Sequence, residues 1–569
     1  MNQEVSWLLR SLTSEQEAQA KDLARKTNLH PLLLQILFHR NVTEEAEIQK
    51  FLNGNLGDLP DPFLLPDMDR AVDRLLQAMA KREKVLFFGD YDVDGITGTA
   101  QLQAFFREMD FKTTPLLPRR LEEGYGLNEK SVRRIALEKP DLLVTIDNGT
   151  RSQKEISALK DLGIETIVLD HHETPLEDQW PPVVALINPK RGDSKFPDRE
   201  VASAGLAFLL IMALRARCRE RGISPLPNLK RYLDLACLGT IADVVPLKGT
   251  NRILVKFGLK ELEQTTRPGL QALKEIAGVQ GAVQTSSVGF RLAPRINAAG
   301  RLKDPRVALD LLLTQSASEA GAYAAQLEAF NQERQRLEEI ALREAIQMVE
   351  KESPPRHGIV VASQDWHLGV VGIVAARLTE KFGRPSIVLA IEQNNEARGS
   401  GRTVSGFSIY DALKEMEEEM LRFGGHAAAA GMTVATDRLE IFSDRFDEAV
   451  RKRWEERHLP KLWIDSAIRL HELKLPLMKD LALLEPHGMG NPEPVLVSSD
   501  IRFNDCRIVG TGHLKAVLSQ EGSRVEAIGF NLASHLKTAQ SQSHRVAFTP
   551  QINFWNGIEN VQIKIRAIG

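Results

Sequence analysis

The hydrophobic patterning of this 569-residue chain predicts an α/β protein. It has a parallel-sheet domain, a long helix leading to a smaller α/β domain, and a small C-terminal β-barrel. Three observations carry that prediction. Short apolar runs alternate with amphipathic stretches from about residue 76 onward. One proline-free segment, rich in helix formers, runs from about 317 to 352. From about 460, short alternating strands are separated by Gly, Asn and Ser turns.

Length argues for roughly three or four domains. With 43% apolar and 26% charged residues, the composition is that of a folded protein. The net charge of −3 creates no global basic field, so a nucleic-acid partner must be held by local patches. Cys218, Cys237 and Cys506 form no CxxC pair and read as free thiols in a reducing compartment. The N-terminus has no basic start, apolar core and small-residue cleavage site, so no signal peptide is expected. No run approaches the roughly 18 apolar residues that cross a bilayer. A cytoplasmic protein without a membrane partner is expected.

In chain order, residues 1–75 read as a helical segment around Leu32, Leu33, Leu34, Ile36 and Leu37, closed by the proline-rich LPDPFLLPDM. The first α/β domain is assigned to 76–250. Its expected strands are VLFFG (85–89), DLLVTI (141–146), TIVLD (166–170) and VVALI (183–187), with helices around TAQLQAFFREM and RSQKEISALKDLG. A connector, 251–354, contains the long helix, with Leu327, Phe330, Leu337 and Ile340 at helical spacing. The second α/β domain is assigned to 355–457, with HGIVVAS and PSIVLAI as strands, and an oligonucleotide-binding (OB) type five-stranded barrel to 458–569.

Chemistry concentrates at the strand ends of the first α/β domain. VLFFG leads into Asp90, Asp92 and Asp94; LLVTI ends at Asp147; TIVL ends at Asp170, His171 and His172; a later apolar segment carries Asp243. In open parallel sheets, ligands sit outside the carboxyl ends of the strands, so topology would gather these residues. Crowded aspartates raise one another's pKa unless a cation neutralises them. Carboxylates with two imidazoles and no cysteine suit Mn²⁺ first and Mg²⁺ second, with zinc ranked lower. A carboxylate shared between two ions is the usual device of a two-metal hydrolase. A calcium loop is disfavoured, because its twelfth position, a glutamate in that motif, is Gln101 here. The bland readings, Asp90 as a helix cap and DHH as a cap with incidental histidines, each explain one motif but not their coincidence.

With DYDVDG, Asp147, the DHH at 170–172 and Asp243 in place, the sequence resembles the DHH phosphoesterase superfamily. Within it, the later blocks PRINAAGR, GSGRTVSGFSIYDAL, GGHAAAAG and LEPHGMGNPEP narrow the resemblance to the RecJ family of single-strand-specific 5′–3′ exonucleases. The resemblance implies two divalent cations, held by Asp92, Asp94, Asp147, His171 and Asp243, with Asp147 bridging and Asp90 binding or supporting the first ion. His172 would face the scissile phosphate, making Asp147, His172 and Asp243 the catalytic set. Some relatives have a histidine where this chain has Phe88, which implies a weaker first site. The chain stops soon after the barrel, so an extra C-terminal domain of some relatives is expected to be absent.

Residues 288–306 carry five basic side chains and one acidic, with NAAG leaving room for close approach of a strand. RGSGRTVSG (398–406) mixes arginines with small hydroxyl residues, as a phosphate nest or a plain turn would. The resemblance implies that Arg120, Ser400 and Arg402 hold a 5′-terminal phosphate while Arg295, Asn297, Arg301 and His426 line the path of single-stranded DNA. Tyr125, Trp366, Trp555 and Phe554 are candidates for base stacking, with core packing the commoner meaning of the first two. Expected partners are single-stranded DNA, a single-strand-binding protein and a helicase, in repair and recombination, for a monomer. The competing readings are an oligonucleotidase or phosphatase of the same superfamily, acting on short nucleotides, and a non-catalytic DNA-binding protein that keeps the fold.

Overall fold

Strand β1 (Val85–Gly89) is buried along its whole length, as an unbroken apolar run requires when a strand is covered on both faces. In the computed structural model it belongs to a five-stranded, all-parallel sheet with β2 (Thr113–Leu116), β3 (Leu142–Ile146), β4 (Glu165–Leu169) and β5 (Ala185–Ile187), in the order β2-β1-β3-β4-β5. The structure describes residues 6–120, 123–124, 126–454, 461–540, 543–555 and 558–569, with all side chains except those of Asp178, Phe554, Trp555 and Ile558. Strand β2 escapes the sequence reading because its TTPL is half polar and contains Pro115. A proline is tolerated there because the strand lies at the sheet edge. Strand β5 is shorter than the expected 183–187.

Leu86, Phe88, Leu143, Val168 and Leu186 pack one sheet face against Val132, Ile135, Ile156 and Leu159 of two helices, Glu129–Glu138 and Gln153–Asp161. On the other side lies α1 (Val93–Glu108), whose Phe106 ring is 5.5 Å from that of Phe87. Helices α2 (Ser203–Glu220) and α3 (Leu233–Ala242) pack against α1. Strand order reverses between β1 and β3, and a crevice opens at such a switch point above the carboxyl ends.

The connector supplies α4 (Ala293–Leu302) and α5 (Ala317–Lys351), the expected long helix. Ser316 caps α5 by accepting the Glu319 amide at 3.3 Å. At 35 residues it is about 50 Å long. Its first half buries Ala320, Ala324 and Leu327 in a core shared with α4; its second half buries Ala341, Ala345 and Val349 beside Val374 and Val388. One rigid rod thereby enters two cores, while Ile340, expected on its apolar stripe, is exposed. The second α/β domain is a mixed sheet, β9-β10-β8-β7-β6, built from β6 (Ile359–Ser363), β7 (Ser386–Ile391), β8 (Glu396–Arg402), β9 (Arg422–His426) and β10 (Ala429–Ala435), with α6 (Val371–Phe382) against it.

The chain divides into two compact units. The sheets and helices above lie in Asp61–Asp243 with Gly258–Pro460; the other unit is Met1–Pro60, Val244–Phe257 and Lys461–Gly569. In this second unit β11 (Leu496–Val509), β12 (His513–Gln520), β13 (Ser523–Gly529), β14 (His544–Trp555) and β15 (Ile558–Ile568) run in the order β11-β12-β13-β15-β14, and β14 pairs back onto β11 to close the expected barrel. The N-terminal helices share its core: Leu33, Ile36 and Leu37 cluster with Leu496, Leu518 and Phe548. Arg252 ties in the mid-chain segment by donating to the carbonyls of Phe51, Leu483, Leu484 and Glu485. A buried guanidinium needs such a set of acceptors.

Candidate metal centre and nucleic-acid interface

Three aspartates sit one residue beyond three adjacent strands, and the backbone holds each there. The Asp90 amide donates to Ile146 at the end of β3 (3.1 Å), Asp147 to Leu169 at the end of β4 (2.9 Å), and Asp170 to Ile187 at the end of β5 (3.1 Å). Each ladder thus runs one bond further, and its last rung fixes an aspartate at the crevice. Asp147 takes a left-handed φ of 66°, a strained conformation for a residue with a side chain. Asn148 secures that turn by donating to the Ile146 carbonyl at 2.9 Å. Asp92 caps α1, accepting the Gly95 amide at 3.1 Å. Asp94, in the first turn of α1, accepts the Ser203 amide at 2.7 Å and the Ala204 amide at 2.8 Å. Those amides open α2 and have no partner within the helix.

The structure brings these groups together. Donor atoms of Asp90, Asp92 and Asp147 lie within 4.8 Å of one another; so do those of Asp94, His171 and Asp243, and those of Asp147, His171 and His172. His171 Nε2 lies 3.3 Å from Asp147 Oδ1, 3.6 Å from Asp243 Oδ2 and 3.9 Å from Asp94 Oδ2. Asp243 follows the last turn of helix α3 rather than a strand tip.

Burial with neighbouring carboxylates makes the cation-free cluster hold protons. Asp94 is pushed up to about 7, by burial first and Asp92 second. Asp243 is pushed up to about 9 by burial, then by Asp94 and Asp92. Asp90 and Asp147 rise well above the ordinary range, from burial and then from their acidic neighbours. Burial pushes His171 down to about 4, with the charge of His172 adding to it, which leaves a neutral imidazole. The buried Asp90 Oδ1 accepts no hydrogen bond from the described residues. Carboxylates that a cation would keep ionised, a neutral imidazole and an unused acceptor are the donor set of a divalent cation.

Asp170 is spent differently. Its Oδ1 meets His172 Nδ1 at 2.7 Å and the His171 and His172 amides at 2.8 and 3.2 Å, and its Oδ2 accepts the Thr150 amide at 3.0 Å. Against the cost of burial, these contacts hold Asp170 below the ordinary carboxylate range. His172 rises to about 9: burial opposes its charge most, but the bond to Asp170 and the charges of Asp170, Asp243 and Asp90 together outweigh it. Asn188 supports the same turn through the His172 carbonyl at 2.9 Å and Thr150 Oγ1 at 3.1 Å. The sequence reading missed Asn188, Thr150 and Ser203. Only their places after a strand or at a helix start signal them.

The basic residues converge elsewhere in the same unit. Arg120 stacks over the Tyr91 ring at 5.2 Å. Arg301 is lowered to about 10 by burial, with Arg120, Arg334 and Arg402 contributing. Arg402 donates to Ser400 Oγ at 2.5 Å. The first turn of α6 adjoins them, since a Cβ on Gly372 would lie 3.2 Å from the Arg402 guanidinium and 3.4 Å from Ser400 Oγ. Crowded guanidiniums beside a helix start fit an anion. Asn297 accepts the Val93 amide at 3.2 Å, holding the loop between Asp92 and Asp94. What presses on Gly300 of NAAG is the chain's own Tyr91 carbonyl, 2.6 Å from where a Cβ would sit. Arg295 is ion-paired with Glu328 at 2.5 Å. His426 is exposed at the end of β9. Trp366 is a core residue, buried against Val371 and Val374 and donating to Glu344 at 2.8 Å. Tyr125 lies outside the described residues, and the side chains of Phe554 and Trp555 outside the described side chains.

Comparison with known proteins agrees with this architecture. Residues 84–240 match the DHH family N-terminal domain, 357–452 the DHHA1 domain and 464–567 the RecJ OB domain. The single-stranded-DNA-specific exonuclease RecJ of Dickeya dadantii is 36% identical over 559 residues, covering 95% of this chain and 96% of its own. The crystal structure of Thermus thermophilus RecJ with Mn²⁺ has a TM-score of 0.84 at 31% identity, covering 100% of this chain and 80% of that one. Its Mg²⁺ complex has a TM-score of 0.78 at 30% identity, covering 99% and 78%. Identity at this level over nearly the full length, with all three domains in order, places the chain in the RecJ family of single-stranded-DNA-specific exonucleases.

Proposed function

We propose that this protein is a metal-dependent exonuclease that degrades single-stranded DNA from its 5′ end and releases nucleoside 5′-monophosphates. The observation that carries this reading is the pair of donor groups meeting at Asp147. Asp90, Asp92 and Asp147 would hold one divalent cation, and Asp94, Asp147, His171 and Asp243 the other, with Mn²⁺ preferred and Mg²⁺ second. Bound there, such ions supply an activated water and offset charge on the phosphate oxygens.

The chain's own residues do the rest. His172, kept protonated by Asp170, presents a positive donor to the scissile phosphate. Arg120, Ser400 and Arg402 grip the 5′-terminal phosphate, and the buried Arg301 adds its charge. Asn297 steadies the aspartate loop. His426 and, beyond its ion pair, Arg295 flank the strand, with Tyr125 as a stacking surface. Along the five segments, catalysis belongs to 76–250, the 5′-end grip to Arg120 of that segment with 251–354 and 355–457, and strand tracking to the barrel at 458–569; no role is assigned to 1–75. The reading extends to a cytoplasmic monomer in repair and recombination, working with a single-strand-binding protein and a helicase.

Asp147→Ala tests it on a 5′-phosphorylated, end-labelled strand, with EDTA as the control. The expected loss exceeds the roughly 10–100-fold cost of removing a group that merely supports a metal ligand. Near-wild-type degradation would contradict the reading.

A further inference from the structure

Ser203 touches both carboxylates of one half of the centre, and it does so through two different atoms. Its amide donates to Asp94 Oδ2 at 2.7 Å, and its hydroxyl donates to Asp147 Oδ1 at 3.0 Å. These are the same two oxygens that face His171 Nε2, at 3.9 and 3.3 Å. Asp94 lies in the first turn of α1, Asp147 follows β3 and Ser203 opens α2, so one residue of a third element ties a helix start to a strand end. Ser203 is fully buried, so no water competes for its single hydroxyl proton. Gly239 of α3 fixes the other side: a Cβ there would sit 2.4 Å from the Ala204 Cβ and 2.9 Å from Asp94 Oδ1.

We infer that Ser203 is a positioning residue for one of the two cation sites, the one formed by Asp94, Asp147, His171 and Asp243. Its amide comes with the helix and survives any substitution except proline. Its hydroxyl is the only part that the side chain contributes. Donation to Asp147 Oδ1 holds the shared carboxylate oxygen that lies 3.3 Å from His171 Nε2. Without it the carboxylate gains torsional freedom that cation binding must remove, and a buried oxygen loses a partner. Asp90 and Asp92 make no hydrogen bond to Ser203, so the other site feels the loss only through the shared Asp147. The inference rests on the two-cation reading of the centre and assigns a residue that chemistry does not itself require.

The test is direct Mn²⁺ binding to the full-length chain, by calorimetric titration and by the electron paramagnetic resonance signal of free Mn²⁺. Ser203→Ala and Ser203→Gly are compared with wild type, and Asp243→Asn marks which class of site belongs to this half. Thermal melting in EDTA reports folding separately. Wild type is expected to show two classes of site. Both Ser203 variants should weaken the class that Asp243→Asn abolishes by about 10–100-fold, weaken the other, which shares Asp147, by less, and still melt cooperatively in EDTA. Unchanged affinities in both classes overturn the inference while sparing the two-cation reading. Equal weakening of both classes overturns it, whatever the melting temperature. A wild-type chain that binds no Mn²⁺ sinks both.

Discussion

At the scale of single residues, the centre keeps protons that an unfolded chain would release. Without cations Asp94 titrates near 7 and Asp243 near 9, against an ordinary 3.8, and His172 near 9 against 6.5. Between pH 6.5 and 9 the folded state therefore binds more protons than the unfolded one, so the stability of the EDTA-treated protein falls as pH rises. His171, lowered to about 4, has its opposing effect below 6.5 and leaves that window alone. Thermal melts in EDTA across the window should show a declining melting temperature; a flat profile would contradict the burial of these carboxylates. For the same reason Mn²⁺ must displace protons, and its affinity should rise with pH over that range. Binding enthalpies in buffers of different ionisation heat measure the protons released.

At the scale of elements, α4 presses on the aspartate loop through Gly300, with the Tyr91 carbonyl 2.6 Å from any added Cβ. Alanine would gain about 1 kcal/mol of helix propensity. A clash with backbone costs about 1–3 kcal/mol, because the carbonyl cannot swing aside as a side-chain tip can. Gly300→Ala is thus expected to lower the denaturation midpoint and slow cleavage by displacing Asp90 and Asp92. A variant matching wild type in both would show that the loop is looser than its packing indicates. The elements also set what the sequence discloses. Apolar runs such as VLFFG and LLVTI end at their aspartates, so the strand tips are readable one by one. Edge strand β2, with its threonines and Pro115, has no such signature. Ser203 is equally silent, since an Ala-Ser-Ala-Gly helix start says nothing about the carboxylates it will meet. Trp366 is the case the sequence leaves between two meanings, and the commoner one, core packing, is what the structure shows beneath α5.

At the scale of the whole molecule, the basic cluster of Arg120, Arg301 and Arg402 forms only because distant segments meet. Arg120 comes from the first α/β domain, Arg301 from the connector, Ser400 and Arg402 from the second sheet, and the rod α5 enters the cores of both. If this cluster receives the 5′-phosphate, Arg402→Ala should cut the preference for 5′-phosphorylated over 5′-hydroxyl strands by roughly 10–100-fold, the worth of one charge-assisted hydrogen bond. Competition between the two labelled strands measures that ratio, and an unaltered preference would move the grip elsewhere. Domain order is legible from texture alone, since alternating strands and helices give way to one long helix and then to short strands. The chain's return at Val244–Phe257 to the unit of the barrel is not, because Arg252 looks like a surface charge until its carbonyl acceptors are seen. The central claim is that two cations share Asp147. Anomalous scattering at the manganese edge, from crystals grown with Mn²⁺, tests it most directly. Two peaks are predicted, both within bonding distance of the Asp147 carboxylate, one beside Asp92 and one beside His171 and Asp243. A single peak, or two that do not both touch Asp147, would contradict it.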